Sequence, residues 1–323
     1  MNIGTFDLSL PELKKYQGIN PKPVDFEEYW DRGLREIDTI DPQVSLIPAA
    51  YHHPTMECFE LTFTGSHGAR VFAKYIRPKH YTGRLPAIMR FHGYASASQD
   101  WTAHFGYACA GFAVAALDVR GQGGRSEDVG GVRGNTLNGH IIRGLDDPDP
   151  DRLFFRDVFL DTALLTRIVA SFPEIDEGRL AAQGGSQGGA LTLACSALSN
   201  IQLAAPAYPF LSDYRRVWEM DLAKNAYAEL TDYFRHFDPL HDREEEIFTK
   251  LGYIDIQHLA HRIRSKVHMY TGLMDMVCPP SSQFATFNKI TSPKKVILYP
   301  DYGHESLPGD SDTTLKWFID ELL

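Results

Sequence analysis

The chain has 323 residues, of which 43% are hydrophobic, 12% aromatic and 23% charged, a composition that buries a sizeable core and excludes extensive disorder. Its 32 basic and 42 acidic residues give a formal charge of −10 with no dense Lys/Arg block, which excludes the electrostatic footprint of a nucleic-acid binder. No apolar run approaches the roughly 18 to 20 residues of a membrane span, so neither nucleic acid nor membrane is expected as a partner.

An α/β enzyme folds this much chain around one sheet, and residues 1–323 are read as one domain. The start, Met1 to Asp7, has no basic n-region, apolar h-region or small-residue cleavage site, so a cytoplasmic protein is expected. Residues 1–40 form an arm and a helix: Asp25 can cap it, and Phe26, Tyr29, Trp30, Gly33, Leu34 and Ile37 repeat at three and four, giving one face to bury. The pair His52-His53 lacks helical i, i+4 spacing and nearby acidic residues, so no metal site is expected there. Over 58–78 the pattern alternates through Phe59, Leu61, Phe63 and Val71, Ala73, Tyr75 about a Gly-containing turn, which predicts an antiparallel hairpin.

Beyond it, short apolar runs at 87–91, 112–119, 179–183, 202–207, 266–271 and 295–299 alternate with helical stretches at 101–110, 157–171, 187–198 and 281–290. That alternation predicts a mainly parallel sheet covered by helices on both faces. Leu315, Phe318, Ile319 and Leu322 predict a closing amphipathic helix. Two stretches depart from the alternation. Residues 121–151, rich in Gly and Asp, predict a long surface excursion of the kind that often carries function. Residues 211–264, helical and aromatic, predict an insertion over the carboxyl edge of the sheet. Cys58, Cys109, Cys195 and Cys278 match neither a disulfide framework nor a zinc site and read as small hydrophobes.

The strongest local signal is Gly184-Gly185-Ser186-Gln187-Gly188-Gly189, directly after a predicted strand and before a predicted helix. A serine pinned on such a turn projects its hydroxyl from the sheet, a nucleophile elbow. A serine hydroxyl needs a base held in the right tautomer by a carboxylate, and in this fold the acid and then the base follow in chain order after later strands. Strand 266–271 runs into Gly272-Leu273-Met274-Asp275, and strand 295–299 into Pro300-Asp301-Tyr302-Gly303-His304. Of thirteen histidines, only His304 falls in the expected place. Asp275 is read as the acid; Asp301, three residues before the base, is the alternative. Donors for an oxyanion are expected at the amide of Gln187 and at that of Tyr94, with Gly93 as its neighbour, after the strand ending Arg90-Phe91-His92. His92 is read as shaping that turn. Arg120 is read as tying loops together through its five donors. Gly121-Gln122-Gly123-Gly124-Arg125-Ser126 lacks the spacing of a phosphate cradle.

Together, Arg120-Gly121-Gln122, Gly184-Gly185-Ser186-Gln187-Gly188 and His304-Glu305, with His92-Gly93-Tyr94, Cys278-Pro279-Pro280 and Tyr208-Pro209-Phe210-Leu211-Ser212, carry a resemblance along the whole chain. The chain resembles the acetyl xylan esterase and cephalosporin-C deacetylase family, carbohydrate esterase family seven, on the α/β-hydrolase fold. The resemblance implies Ser186 as nucleophile, His304 as base, Asp275 as acid, and the amides of Tyr94 and Gln187 as oxyanion hole. It also implies deacetylation of small substrates, including acetylated xylo-oligosaccharides, other sugars and cephalosporin C, and a homo-hexamer with its sites facing an inner chamber. No metal or organic cofactor is implied. Val277 and the 211–264 insertion are read as substrate contacts. A peptidase or lactone hydrolase on the same fold would use the same triad, and a non-catalytic binding protein that kept the fold is the alternative from another class.

Overall fold

A computed structural model describes residues 6–128 and 135–323. The reading of residues 1–5 and of the middle of the 121–151 excursion lies outside the described residues.

A short helix, α1 (Leu10–Leu13), and α2 (Phe26–Thr39) precede the sheet. On α2 the three-and-four repeat buries Phe26, Tyr29, Trp30, Gly33 and Ile37, and Trp30 stacks on Phe159 with ring centroids 5.8 Å apart. The strands are β1 (Ser45–Pro48), β2 (Met56–Thr64), β3 (Arg70–Pro78), β4 (Leu85–Phe91), β5 (Ala113–Asp118), β6 (Ile175–Gly185), β7 (Leu203–Ala207), β8 (Lys266–Gly272) and β9 (Lys294–Tyr299). They form one sheet in the order β1-β2-β3-β5-β4-β6-β7-β8-β9. β2 and β3 are the predicted hairpin, β3 runs antiparallel to β5, and from β5 through β4 to β9 every pairing is parallel.

The remaining helices are α3 (Phe105–Ala110), α4 (Phe154–Ala170), α5 (Gln187–Leu198), α6 (Tyr214–Glu219), α7 (Ala228–Phe237), α8 (Glu244–Leu251), α9 (Ile256–Leu259), α10 (Pro280–Lys289) and α11 (Asp310–Leu322). The central strands are buried on both faces, so they read as continuous apolar runs, and every residue of β5 is buried. One face packs α4 and α5 through Phe155, Phe159, Leu191 and Ala194. The other packs α3 and α11 through Tyr107 and Phe318 against Ile88 and Val114. The four helices α6 to α9 form the predicted insertion, and its Tyr214, Leu230, Phe234 and Phe248 join the same core as the sheet. Parallel strands send their carboxyl ends to one edge. The loops that follow β4, β6, β7, β8 and β9 there build the site.

Candidate active site

β6 ends at Gly185 and α5 begins at Gln187, leaving Ser186 alone on the turn with φ 58° and ψ −120°, a conformation that L side chains rarely adopt. The surroundings hold it there. Its amide donates to the Ala207 carbonyl at 3.0 Å, and its own carbonyl accepts from the amides of Phe210 and Ala190, both at 3.1 Å. Close backbone contact explains the flanking glycines. A Cβ on Gly188 would lie 2.2 Å from the Phe91 carbonyl oxygen, and one on Gly184 would lie 2.6 Å from the same atom.

His304 Nε2 lies 3.0 Å from Ser186 Oγ, and His304 Nδ1 lies 2.9 Å from Asp275 Oδ2. Because the carboxylate only accepts, Nδ1 carries the ring proton and Nε2 is left to accept from the serine hydroxyl. Asp275 is fully buried. Its Oδ1 accepts from the amides of Val277 and Cys278 at 2.9 and 2.8 Å, and Gln283 Nε2 donates to Oδ2 at 3.3 Å. The loop after β8 is tied to that after β9 by Leu273 N to Tyr299 O and Met274 N to Tyr302 O. Tyr208 packs edge-on against the His304 ring at 4.8 Å. The structure thus brings Ser186, His304 and Asp275 into one hydrogen-bonded chain. Asp301 is exposed and has no ion pair with His304 among the described residues.

The amides of Tyr94 and Gln187 find no acceptor among the described residues, which leaves both donors for a ligand. Two groups that the sequence reading passed over brace them. Gln122 and Gln187 exchange side-chain amide hydrogen bonds at 2.7 and 3.0 Å, and Gln122 Oε1 also accepts from the Ala95 amide at 3.1 Å. Glu229, on α7, accepts from the Tyr94 hydroxyl and from the Ile141 amide at 2.7 Å, so one buried carboxylate joins the insertion, the excursion and the turn after β4. Burial pushes its pKa up, opposed by the Tyr94 hydroxyl and the backbone donors. Only the pairing of Arg120-Gly121-Gln122 with the elbow as recurring motifs hinted at Gln122, and no local signal marks Glu229.

His92 donates from Nδ1 to the Gly93 carbonyl at 2.7 Å and accepts from the Val119 amide at Nε2 at 2.9 Å; both nitrogens are committed to the turn. Arg120 is fully buried, forks onto both oxygens of Asp161 at 2.7 and 2.6 Å, and reaches Ser66. The glycine loop after it wraps the Asp118 carboxylate, which accepts from the amides of Arg125 and Ser98 and would repel a phosphate. Cys58, Cys195 and Cys278 are buried thiols, as expected of small hydrophobes, whereas Cys109 is exposed. Asp275, Cys278 and His304 offer donor atoms within 4.8 Å of one another. Both nitrogens of that histidine are already engaged, and burial pushes the Cys278 thiol pKa up, so the set fits the hydrogen-bonded chain better than a metal ion.

A cavity of about 510 Å³ adjoins Ser186 and His304, lined among others by those two residues, Tyr208, Gln183, Arg90 and Asp310. Neither Val277 nor any residue of 211–264 is among the described residues that wall it, and the amide-bearing Tyr94 and Gln187 do not wall it either. The cavity lies on the α3 and α11 side of the sheet, and the insertion reaches the site instead through Glu229.

Helices on both faces of a mostly parallel sheet, with a strained serine between β6 and α5 and an acid and a histidine after β8 and β9, define an α/β-hydrolase fold. The family model for acetyl xylan esterase (AXE1) matches residues 3–321, and the chain belongs to that family. It is 56% identical to acetyl xylan esterase 1 of a Thermoanaerobacterium species, with a TM-score of 0.94 over 98% of this chain and 99% of that one. It is 33% identical to an acetyl xylan esterase of a Paenibacillus species, with a TM-score of 0.89 over 98% and 100% of the two chains. It is also 27% identical to the acetyl esterase Axe7A of Xylanibacter ruminicola, over 95% of this chain and 69% of that protein. An acylaminoacyl peptidase of Pyrococcus horikoshii, 16% identical, shares the fold with a TM-score of 0.57 over 82% of this chain and 41% of its own.

Proposed function

We propose that the protein is a serine esterase that removes acetyl groups from small acetylated sugars, with acetylated xylo-oligosaccharides as its first substrate class and cephalosporin C as a further one. The observation that carries this reading is the unbroken chain from Ser186 through His304 to the buried Asp275 beneath an open polar cavity. Kinship with an acetyl xylan esterase at 56% identity supplies the substrate class.

The geometry supports a two-step acyl transfer. His304 Nε2 takes the proton of Ser186 as Oγ attacks the acetyl carbonyl, and Asp275 steadies the imidazolium that forms. The amides of Tyr94 and Gln187 receive the oxyanion; losing one such donor costs about 10²- to 10³-fold in rate. Collapse breaks the bond to the sugar oxygen, which leaves with the proton from His304. Water repeats the sequence on the acetyl-enzyme, releasing acetate and restoring the hydroxyl of Ser186.

The test compares hydrolysis of p-nitrophenyl acetate, butyrate and octanoate by the wild type and by Ser186→Ala, with acetylated xylose competing. A strong preference for acetate, competition by the sugar and a loss of at least roughly 10³-fold in the variant are expected. Unchanged turnover in Ser186→Ala, or preference for octanoate, would overturn the proposal. By the same resemblance we propose a hexamer, which sedimentation velocity checks; a monomer would rule it out.

A further inference from the structure

The cavity over Ser186 contains a cation that the deacetylation steps leave unused. Arg90 lies on β4 opposite Gln183 of β6, three residues before Ser186 and so about 10 Å along the strand direction. Its half-buried side chain lines the cavity that Ser186 and His304 also line. One nitrogen, Nη1, holds the head in place: it donates to the Ala103 carbonyl at 2.6 Å and to His104 Nδ1 at 2.7 Å. His104 in turn donates from Nε2 to the Ser98 carbonyl at 2.7 Å, and burial, helped by Arg90, holds its pKa down to about 3, so it stays a neutral acceptor. The guanidinium stands 5.2 Å over the Tyr107 ring.

Among the described residues no carboxylate pairs with Arg90, and its Nε and Nη2 have no hydrogen-bond acceptor. The other arginines of the interior are treated differently: Arg120 has Asp161 and Asp157, and Arg156 has Glu36 and Asp151. Desolvating a guanidinium without a counter-ion is costly, and an arginine stays charged at any ordinary pH. Its two unused donors form the planar fork that matches a carboxylate. Asp310 and Glu305 line the same cavity, but neither pairs with Arg90 among the described residues.

We propose that Arg90 binds a carboxylate carried on the alcohol portion of the ester, so that the enzyme takes acetylated sugar acids, uronates, in preference to their neutral counterparts. The inference rests on the esterase reading and adds the class of sugar to it.

The test measures kcat/KM for acetylated glucuronic acid and acetylated glucose, a pair that differs only in the carboxylate, on the wild type, Arg90→Gln and Arg90→Lys. The acid-to-neutral ratio is read within each protein, so a general loss of stability or rate cancels. The expected result is a wild-type ratio of at least about 10 that falls at least tenfold in Arg90→Gln and less in Arg90→Lys. A wild-type ratio near one, or a ratio that Arg90→Gln leaves in place, overturns the inference while acetylglucose turnover keeps the esterase reading intact. No turnover of either ester defeats the esterase reading itself. If Arg90→Gln does not fold, wild-type inhibition decides: methyl glucuronide must outcompete methyl glucoside. Inhibition by sodium acetate alone, with no preference between the glycosides, identifies a free-anion site and also overturns the inference.

Discussion

Both oxygens of Asp275 are occupied before any substrate arrives: Oδ1 by two backbone amides, Oδ2 by His304 and Gln283. An amide at this position has one acceptor and one donor end, and cannot receive from the backbone and from His304 Nδ1 together. Asp275→Asn therefore moves the ring proton to Nε2, where it blocks acceptance from Ser186. We expect kcat to fall by roughly 10³- to 10⁴-fold with KM little changed, as for other triads that lose the acid, and a thermal midpoint near that of the wild type; steady-state kinetics and calorimetry check this. Ser186, His304 and Asp275 were legible in the sequence because each lies in a loop just after a strand, in the chain order that the fold requires. Gln122 and Glu229 were not, because their partners Gln187 and Tyr94 lie 65 and 135 residues away, and a single Gln or Glu within a polar stretch looks like any solvated side chain. Arg90 was legible only as the end of a strand; that it lacks a counter-ion is a property of its neighbours in space.

Among the elements, α7 bears on the site indirectly, through Glu229. Glu229 is 5% exposed and joins Tyr94 to the backbone of Ile141 and Ile142, so α7 helps to aim the turn that presents the Tyr94 amide. Glu229→Ala would strand two backbone donors and the tyrosine hydroxyl, costing about 1 to 3 kcal/mol for each group left unsatisfied. We expect a lower thermal midpoint and a fall in kcat of roughly 10- to 100-fold, less than the loss of an oxyanion donor outright, with KM nearly constant. Glu229→Gln, which keeps one acceptor, should recover part of both. A fall in stability with kcat unchanged would show α7 to be structural only. The strands flanking the site were legible because burial on both faces makes them short continuous apolar runs. β1 was not: Ser45-Leu46-Ile47-Pro48 pairs on one side only, and Ile47 is 58% exposed, so neither alternation nor an apolar run marks it. β6 starts four residues before its predicted bound because Ile175 pairs with Leu85 across a register shift.

For the molecule as a whole, the arm before the sheet is fastened by one carboxylate set on another. Asp213 accepts from the amides of Ile19 and Asn20 at 3.0 and 2.8 Å and from the Tyr16 hydroxyl at 2.8 Å. Its own amide donates to both oxygens of the fully buried Asp255 at 3.0 Å. Burial, and then the charge of Asp213, raise the Asp255 pKa to about 7. Between the ordinary carboxylate value and about 7 the folded chain therefore holds a proton that the unfolded chain has lost. This contribution to stability is complete below the ordinary value, declines as pH rises, and is gone above about 7. Asp255→Asn, which still accepts but carries no charge, should flatten the fall in thermal midpoint between pH 5 and 8, and a series of melts in that range checks it. Equal slopes in the two proteins would count against the assignment. The two rims of the sheet bear on a different matter, how copies of the chain meet. At one rim β1 is four residues long and closes on Pro48, which has no amide hydrogen to offer; at the other, β9 opens with the exposed Lys294 and Lys295. Short strands, proline and lysine are the features that keep an open edge from recruiting another strand. Among the described residues the nine strands thus end in two edges unsuited to fibrous growth.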